Sequence, residues 1–169
     1  MSEQYNYTIA SYNAENLKSY KRQIRVSQTE SAITIDVLYR NHHVSQRYFP
    51  QTGRVELVIS YYLPLPKYIA DRWDSSALEN YAVYKGDLDL NIRIGNMLYI
   101  EYVTERNNNL YEAGEVFTIC KQIKVQINDF KNDFRTTAKQ LLKTNPNRRV
   151  RFTDIKPSYN IYESRGLPF

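Results

Sequence analysis

The two histidines of the chain, His42 and His43, stand side by side, and its single cysteine, Cys120, lies far along the sequence from both. Adjacent residues of an extended chain point to opposite faces, so the two imidazoles are poorly placed to share one metal ion, and no other Cys or His stands at zinc spacing from them. Cys120 falls on an apolar stripe, where a small core residue is a commoner role than a nucleophile. Carboxylate pairs offer a second chemistry. Asp87 and Asp89 share one face of a strand, and Asp71 and Asp74 stand three apart on a stretch with helical spacing, patterns that acid–base hydrolysis or magnesium binding can use. No lysine accompanies them in the arrangement nucleases commonly use, and a solvated face accounts for both pairs. With 5 glycines in 169 residues, neither GxGxxG nor GxxxxGK[ST] occurs, which excludes the standard nucleotide loops. The sequence therefore points to no catalytic residue, no metal and no cofactor.

The strongest electrostatic signal is C-terminal. From 134 to 156 the cations Arg135, Lys139, Lys143, Arg148, Arg149, Arg151 and Lys156 face Asp154 alone, in a chain of net charge +5. Lys139, Lys143, Arg148, Arg149 and Arg151 could neutralise several phosphates with a steep salt dependence, while Tyr159 and Tyr162 beside them could stack on bases. The same cations also suit an acidic protein partner, or a helix end whose dipole attracts Lys and Arg. These residues are the candidate contacts to a partner or to nucleic acid. The 16 tyrosines carry two readings: rings that bury against a partner, or Tyr standing in for Phe on half-buried strands.

Those residues need a scaffold. A hydrophobic fraction of 42% with 24% charged residues fits a folded chain, and the length suits one core, so a single domain over 1–169 is expected. Within it, 1–10 reads as an N-terminal tail, 11–143 as the core and 144–169 as an extended basic arm. That arm lies either on another subunit or back over its own sheet. One cysteine allows no internal disulfide, which points to a reducing compartment. Residues 1–10 have no basic and apolar leader pattern, and no apolar run approaches a membrane span, so neither secretion by signal peptide nor membrane insertion is expected.

The pattern predicts an α+β fold, with an antiparallel β-meander of about five strands packed by a long amphipathic helix. A short helix is read over Asn13–Arg25 from Leu17, Tyr20 and Ile24. Period-two alternation then gives strands through Ile33–Tyr39, Val44–Phe49 and Arg54–Leu63, the last two joined by a turn at Pro50–Gly53. Pro64 and Pro66 stop the third strand. Lys67–Tyr84 reads as a helix or a packed loop. Leu88, Leu90, Ile92 and Ile94 alternate again, and Gly95-Asn96 suits a type II′ turn into Met97–Thr104. From Val116 to Leu141 the apolar spacing is helical, although Phe117, Ile119, Ile123, Val125 and Ile127 also alternate like a strand. Phe130 and Phe134, one turn apart, are expected to pack on a sheet face with residues such as Ile33, Ile35, Leu57 and Ile92. One more strand is read at Arg149–Ile155.

Leu63-Pro-Leu-Pro66, followed by Ile69, Asp71 and Asn80-Tyr81, resembles the LPLP..I.D element of tail-tube cap and initiator proteins of contractile-tailed bacteriophages. The resemblance covers about 19 residues. It implies a non-enzymatic structural or assembly subunit of a virion tail, neck or baseplate, with homo- or hetero-oligomeric protein neighbours, located in the virion or the host cytoplasm. A free-edged meander and extended termini agree with that expectation. A nucleic-acid-binding module built on the 134–156 segment is the alternative, and an enzyme built on Asp71, Asp74, Asp87 and Asp89 is a third reading.

Overall fold

The computed structural model describes residues 23–39, 41–74 and 81–155. Seven strands run as β1 (Gln23–Gln28), β2 (Ile33–Leu38), β3 (His42–Phe49), β4 (Arg54–Leu63), β5 (Tyr81–Lys85), β6 (Asp89–Ile94) and β7 (Leu98–Asn107). The helices are α1 (Lys67–Ala70) and α2 (Ala113–Thr144), and a 3-10 turn covers Phe152–Asp154. The strand order is β1-β2-β3-β4-β7-β6-β5, and the pairs β1–β2, β2–β3, β3–β4 and β5–β6 are antiparallel. This is the expected α+β class. By its contacts the chain divides into two compact units, 1–62 with 101–120 and 63–100 with 121–169.

The first unit is built on the period-two pattern. Ile33, Ile35 and Val37 of β2, Val44 of β3, and Val55, Leu57, Ile59 and Tyr61 of β4 are all buried. Between β3 and β4 the Phe49 carbonyl accepts from the N–H of Gly53 at 2.8 Å. Gly53 takes a φ of 76°, and a Cβ there would stand 2.5 Å from Asn108 Oδ1. The positive φ is what calls for glycine here, and a side chain would also have to displace the Asn108 amide. Asn108 shares the left-handed φ of 76°, and its N–H donates to the Gly53 carbonyl at 2.6 Å. Arg106 then closes the entry to α2. Its guanidinium donates to the carbonyls of Asn109 and Leu110 and, in a two-pronged contact, to the Glu115 carboxylate at 2.7 and 2.8 Å. That contact holds the Glu115 carboxyl below its ordinary pKa. A buried amide completes the unit: Gln46 donates to the Tyr111 carbonyl at 2.7 Å and accepts from the Tyr111 N–H at 2.6 Å.

The second unit centres on an aromatic cluster. Phe134 lies among Tyr68, Trp73 and Phe130, and Phe130 meets Tyr84 and Phe152. Phe130, Phe134, Ile69 and Ile92 are fully buried. Tyr84 of β5 donates to Asp133 of α2 at 2.5 Å. Gln126, in the amide orientation that satisfies both its groups, accepts from the Asp87 N–H at 2.8 Å and donates to the Leu88 carbonyl at 2.9 Å.

Several expectations are corrected. Among the described residues the strands number seven and not about five, because two were read as something else. Gln23–Arg25, assigned to a helix over 13–25, lie in β1, where pairing along six residues of β2 outweighs a helical spacing that only Ile24 carries into this stretch; 13–22 fall outside the described residues. Within Lys67–Tyr84, the helix stops at Ala70, and Tyr81–Tyr84 belong to β5. The 115–127 ambiguity resolves to helix: the three-four residues Val116, Cys120, Ile123 and Ile127 are buried, while the strand-like alternative leaves Phe117 and Val125 at 59% exposure each. Arg149–Ile155 is not a strand. It makes one parallel bridge, Val150 to Trp73, and then the 3-10 turn. The β6–β7 link is three residues, with the Gly95 N–H bonded to the Met97 carbonyl, and Gly53 is the described glycine with positive φ, so Gly95 does not make a type II′ turn.

Candidate partner-binding surface

β1 is the end strand of the sheet, and among the described residues nothing pairs with its outer edge. Its sequence QIRVSQ holds one charge and no proline, so it lacks the usual devices that blunt an edge. Arg25 through Gln28 are exposed. Beside this edge, the register places Arg25 opposite Asp36 and Leu38 opposite His43 on one face of the sheet. On that face an open groove of about 340 Å³ is lined by Arg25, Asp36, Leu38, His43 and Tyr62. The His43 Nε2 stands 3.1 Å from Asp36 Oδ1. Leu38 at 50% and Tyr62 at 49% exposure supply an apolar border.

A free edge can hydrogen-bond an extended peptide through its backbone, and a neighbouring groove can sort the side chains of that peptide. Arg25 suits a carboxylate, the His43–Asp36 pair a polar group, and Leu38 and Tyr62 an apolar side chain. The sequence reading missed this surface because its residues come from four strands and because β1 was read as helix. The alternation of Ile24 and Val26 with Arg25 and Ser27 was the available signal.

The sequence-named residues fall elsewhere. His42 stacks between Tyr39 and Tyr61, with ring centroids 4.4 and 4.7 Å apart, whereas His43 turns to Asp36; the two rings do not converge. Cys120 is buried. Asp71 is exposed at the end of α1, and its carbonyl accepts from Arg149 at 2.6 Å. Asp74 is buried and accepts from Arg151 at 2.6 Å. Asp87 and Asp89 are exposed. Asp87 and Asp133 each act on Asp129, a carboxylate not singled out before. Burial first, then repulsion by Asp133 and Asp87, raises the Asp129 pKa. Among the described residues no three His, Cys, Asp or Glu side chains form a group that could hold a metal ion.

Of the candidate cations, Arg148 pairs with Asp154 at 2.6 Å, Arg149 with the Asp71 carbonyl and Arg151 with Asp74. Val150 between them is buried, so 148–154 fold back on the second unit. Lys139 and Lys143 are exposed on α2. Tyr159 and Tyr162 lie outside the described residues. No described helix is long and apolar enough to cross a membrane. No family model, no curated protein and no solved structure matches this chain.

Proposed function

We propose that this chain is a non-enzymatic assembly subunit of a larger complex, of the virion tail, neck or baseplate kind that the Leu63–Tyr81 resemblance implies, and that it takes an extended segment of a protein neighbour along β1. The observation that carries this reading is the outer edge of β1, unpaired among the described residues, beside the Arg25–Tyr62 groove. The Leu63–Asp71 element itself acts as an exit from the sheet: Pro64 and Pro66 end β4, and Ile69 is fully buried.

The test is amide hydrogen exchange of the chain alone and mixed with the products of neighbouring genes, alongside light scattering on the same mixtures. Assembly should raise the mass of the complex and slow exchange at the outward amides of Gln23–Gln28. Leu38→Glu and Tyr62→Ala should weaken the complex without unfolding the chain, since both residues are exposed. A chain that stays monomeric with every neighbour, or complexes that leave β1 exchange unchanged, would overturn the reading.

A further inference from the structure

The helix α2 carries, from residue 121 onward, the cations Lys121, Lys124, Lys131, Arg135, Lys139 and Lys143. At 100° per residue all of them fall within an arc of about 120°. The buried residues Ile123, Ile127, Phe130 and Phe134 lie on the other side of the helix. The two acids of this stretch stay outside the arc: Asp133 is buried against Tyr84, and Asp129, whose pKa is raised, lies beyond its border. Lys131, Arg135, Lys139 and Lys143 repeat every four residues, a step of about 6 Å along the axis. Among the described residues none of these four makes an ion pair. Arg135 rests over the Tyr68 ring, 4.9 Å from its centroid, and Tyr68 donates to the Lys131 carbonyl, so the middle of the ridge is held in place.

We infer that this ridge binds the phosphate backbone of a nucleic acid. Single-sign charge repeated at short, regular steps along one helix matches a regular polyanion better than the mixed charge of a protein surface. The assignment also moves the electrostatic site. Arg148, Arg149 and Arg151 are engaged by Asp154, the Asp71 carbonyl and Asp74, so the contacts reside on the helix and not on the segment after it.

Fluorescence anisotropy of the full chain with a labelled duplex and a labelled single strand tests the ridge. Neutralising four phosphates predicts a log–log salt slope of about −3.6 on duplex and about −2.8 on single strand, or roughly a hundredfold loss of duplex affinity between about 50 and 200 mM salt. The double variant K139Q/K143Q should lower the duplex slope to about −1.8 while its thermal melt stays that of the parent. Arg148→Gln should leave the slope unchanged. Absence of binding at about 50 mM salt, a slope indifferent to K139Q/K143Q, or equal affinity for polyglutamate would each overturn the inference. The ridge shares no residue with β1 or its groove, so these outcomes leave the assembly reading to its own test.

Discussion

Gln46→Leu should destabilise the chain although it replaces a polar residue with an apolar one of similar size. Gln46 is 1% exposed and stands on the apolar face of β3 between Val44 and Tyr48. Its amide satisfies the N–H and the carbonyl of Tyr111, itself buried, just before α2. Leucine would leave that donor and that acceptor unmet, at about 1–3 kcal/mol each. Burial of the leucine returns at most about 2 kcal/mol, because the site is already dry. With each unmet group at the middle of its range, the net loss is about 2 kcal/mol, a visible part of a margin of roughly 5–15. Urea unfolding should show it as a lower midpoint with an unchanged slope.

Gln46→Glu separates the two bonds. The carboxylate can still accept from the Tyr111 N–H but cannot donate to its carbonyl, and burial raises its pKa in the folded state. A raised folded pKa favours the protonated form, which can donate. Relative to the parent, the variant should approach full stability below the ordinary glutamate pKa of about 4.3 and lose it as pH rises through the folded value. Parent-like stability of Gln46→Leu, or a Gln46→Glu deficit that does not vary with pH, would refute the reasoning.

Phe134→Ala should cost about 3–5 kcal/mol in chemical denaturation, because the ring is fully buried among Tyr68, Trp73 and Phe130, whereas Phe117→Ala on the exposed side should change stability by about 0.5 kcal/mol or less. Arg148→Ala, which removes an exposed ion pair, should cost about 0–1 kcal/mol; Arg151→Ala should cost more in the same melt, since it strips a partner from the buried Asp74 carboxylate. Asp129→Asn should raise the urea midpoint at about pH 7 and leave it unchanged at about pH 3. The folded pKa of Asp129 is raised, so its favourable contribution is present below the ordinary carboxylate pKa and lost as pH climbs through the raised value.

What the sequence showed depended on whether one element's own pattern sufficed. β2, β4 and β6 were legible because Ile33, Ile35 and Val37, then Val55, Leu57 and Ile59, then Leu90, Ile92 and Ile94 recur at every second position, with polar neighbours throughout except Val58, and every one of them is buried. The helix from Val116 was legible because its three-four stripe continues for several turns, and only burial could discard the competing alternation of Phe117 and Val125. β1 and β5 were not read as strands, because the alternation of Ile24 and Val26 in β1 competed with the helical spacing of Leu17, Tyr20 and Ile24, and β5 lies in a stretch of mixed pattern; pairing with β2 and β6 identifies them. Gln46 and Gln126 were hidden for a further reason: glutamine on an apolar face reads as an interruption until the backbone it satisfies is known. For Gln46 the interruption was itself the signal, a polar residue in step with Val44 and Tyr48 where a solvated one would break register.

The C-terminal basic excess shows how burial divides one run of charge into two functions. Counted along the sequence, Arg135 to Lys156 is a single block, and it invites one explanation. In the fold, Val150 must bury beside Trp73, and that fixes the backbone on both sides of it. Arg149 and Arg151 are thereby brought to the Asp71 carbonyl and to Asp74, and Arg148 to Asp154. Their charge is engaged within the second unit, where it meets the Asp71 carbonyl and the Asp154 and Asp74 carboxylates. Lys139 and Lys143 belong instead to a helix whose opposite side is fixed by Phe130 and Phe134, so their direction is set away from the core and their charge remains available. The helical period, which also draws Lys121, Lys124 and Lys131 onto the same arc, therefore locates the electrostatic surface better than the density of Lys and Arg along the chain. Neutralising Lys139 and Lys143 should change salt-dependent binding with little effect on folding, and changing Arg151 should do the reverse.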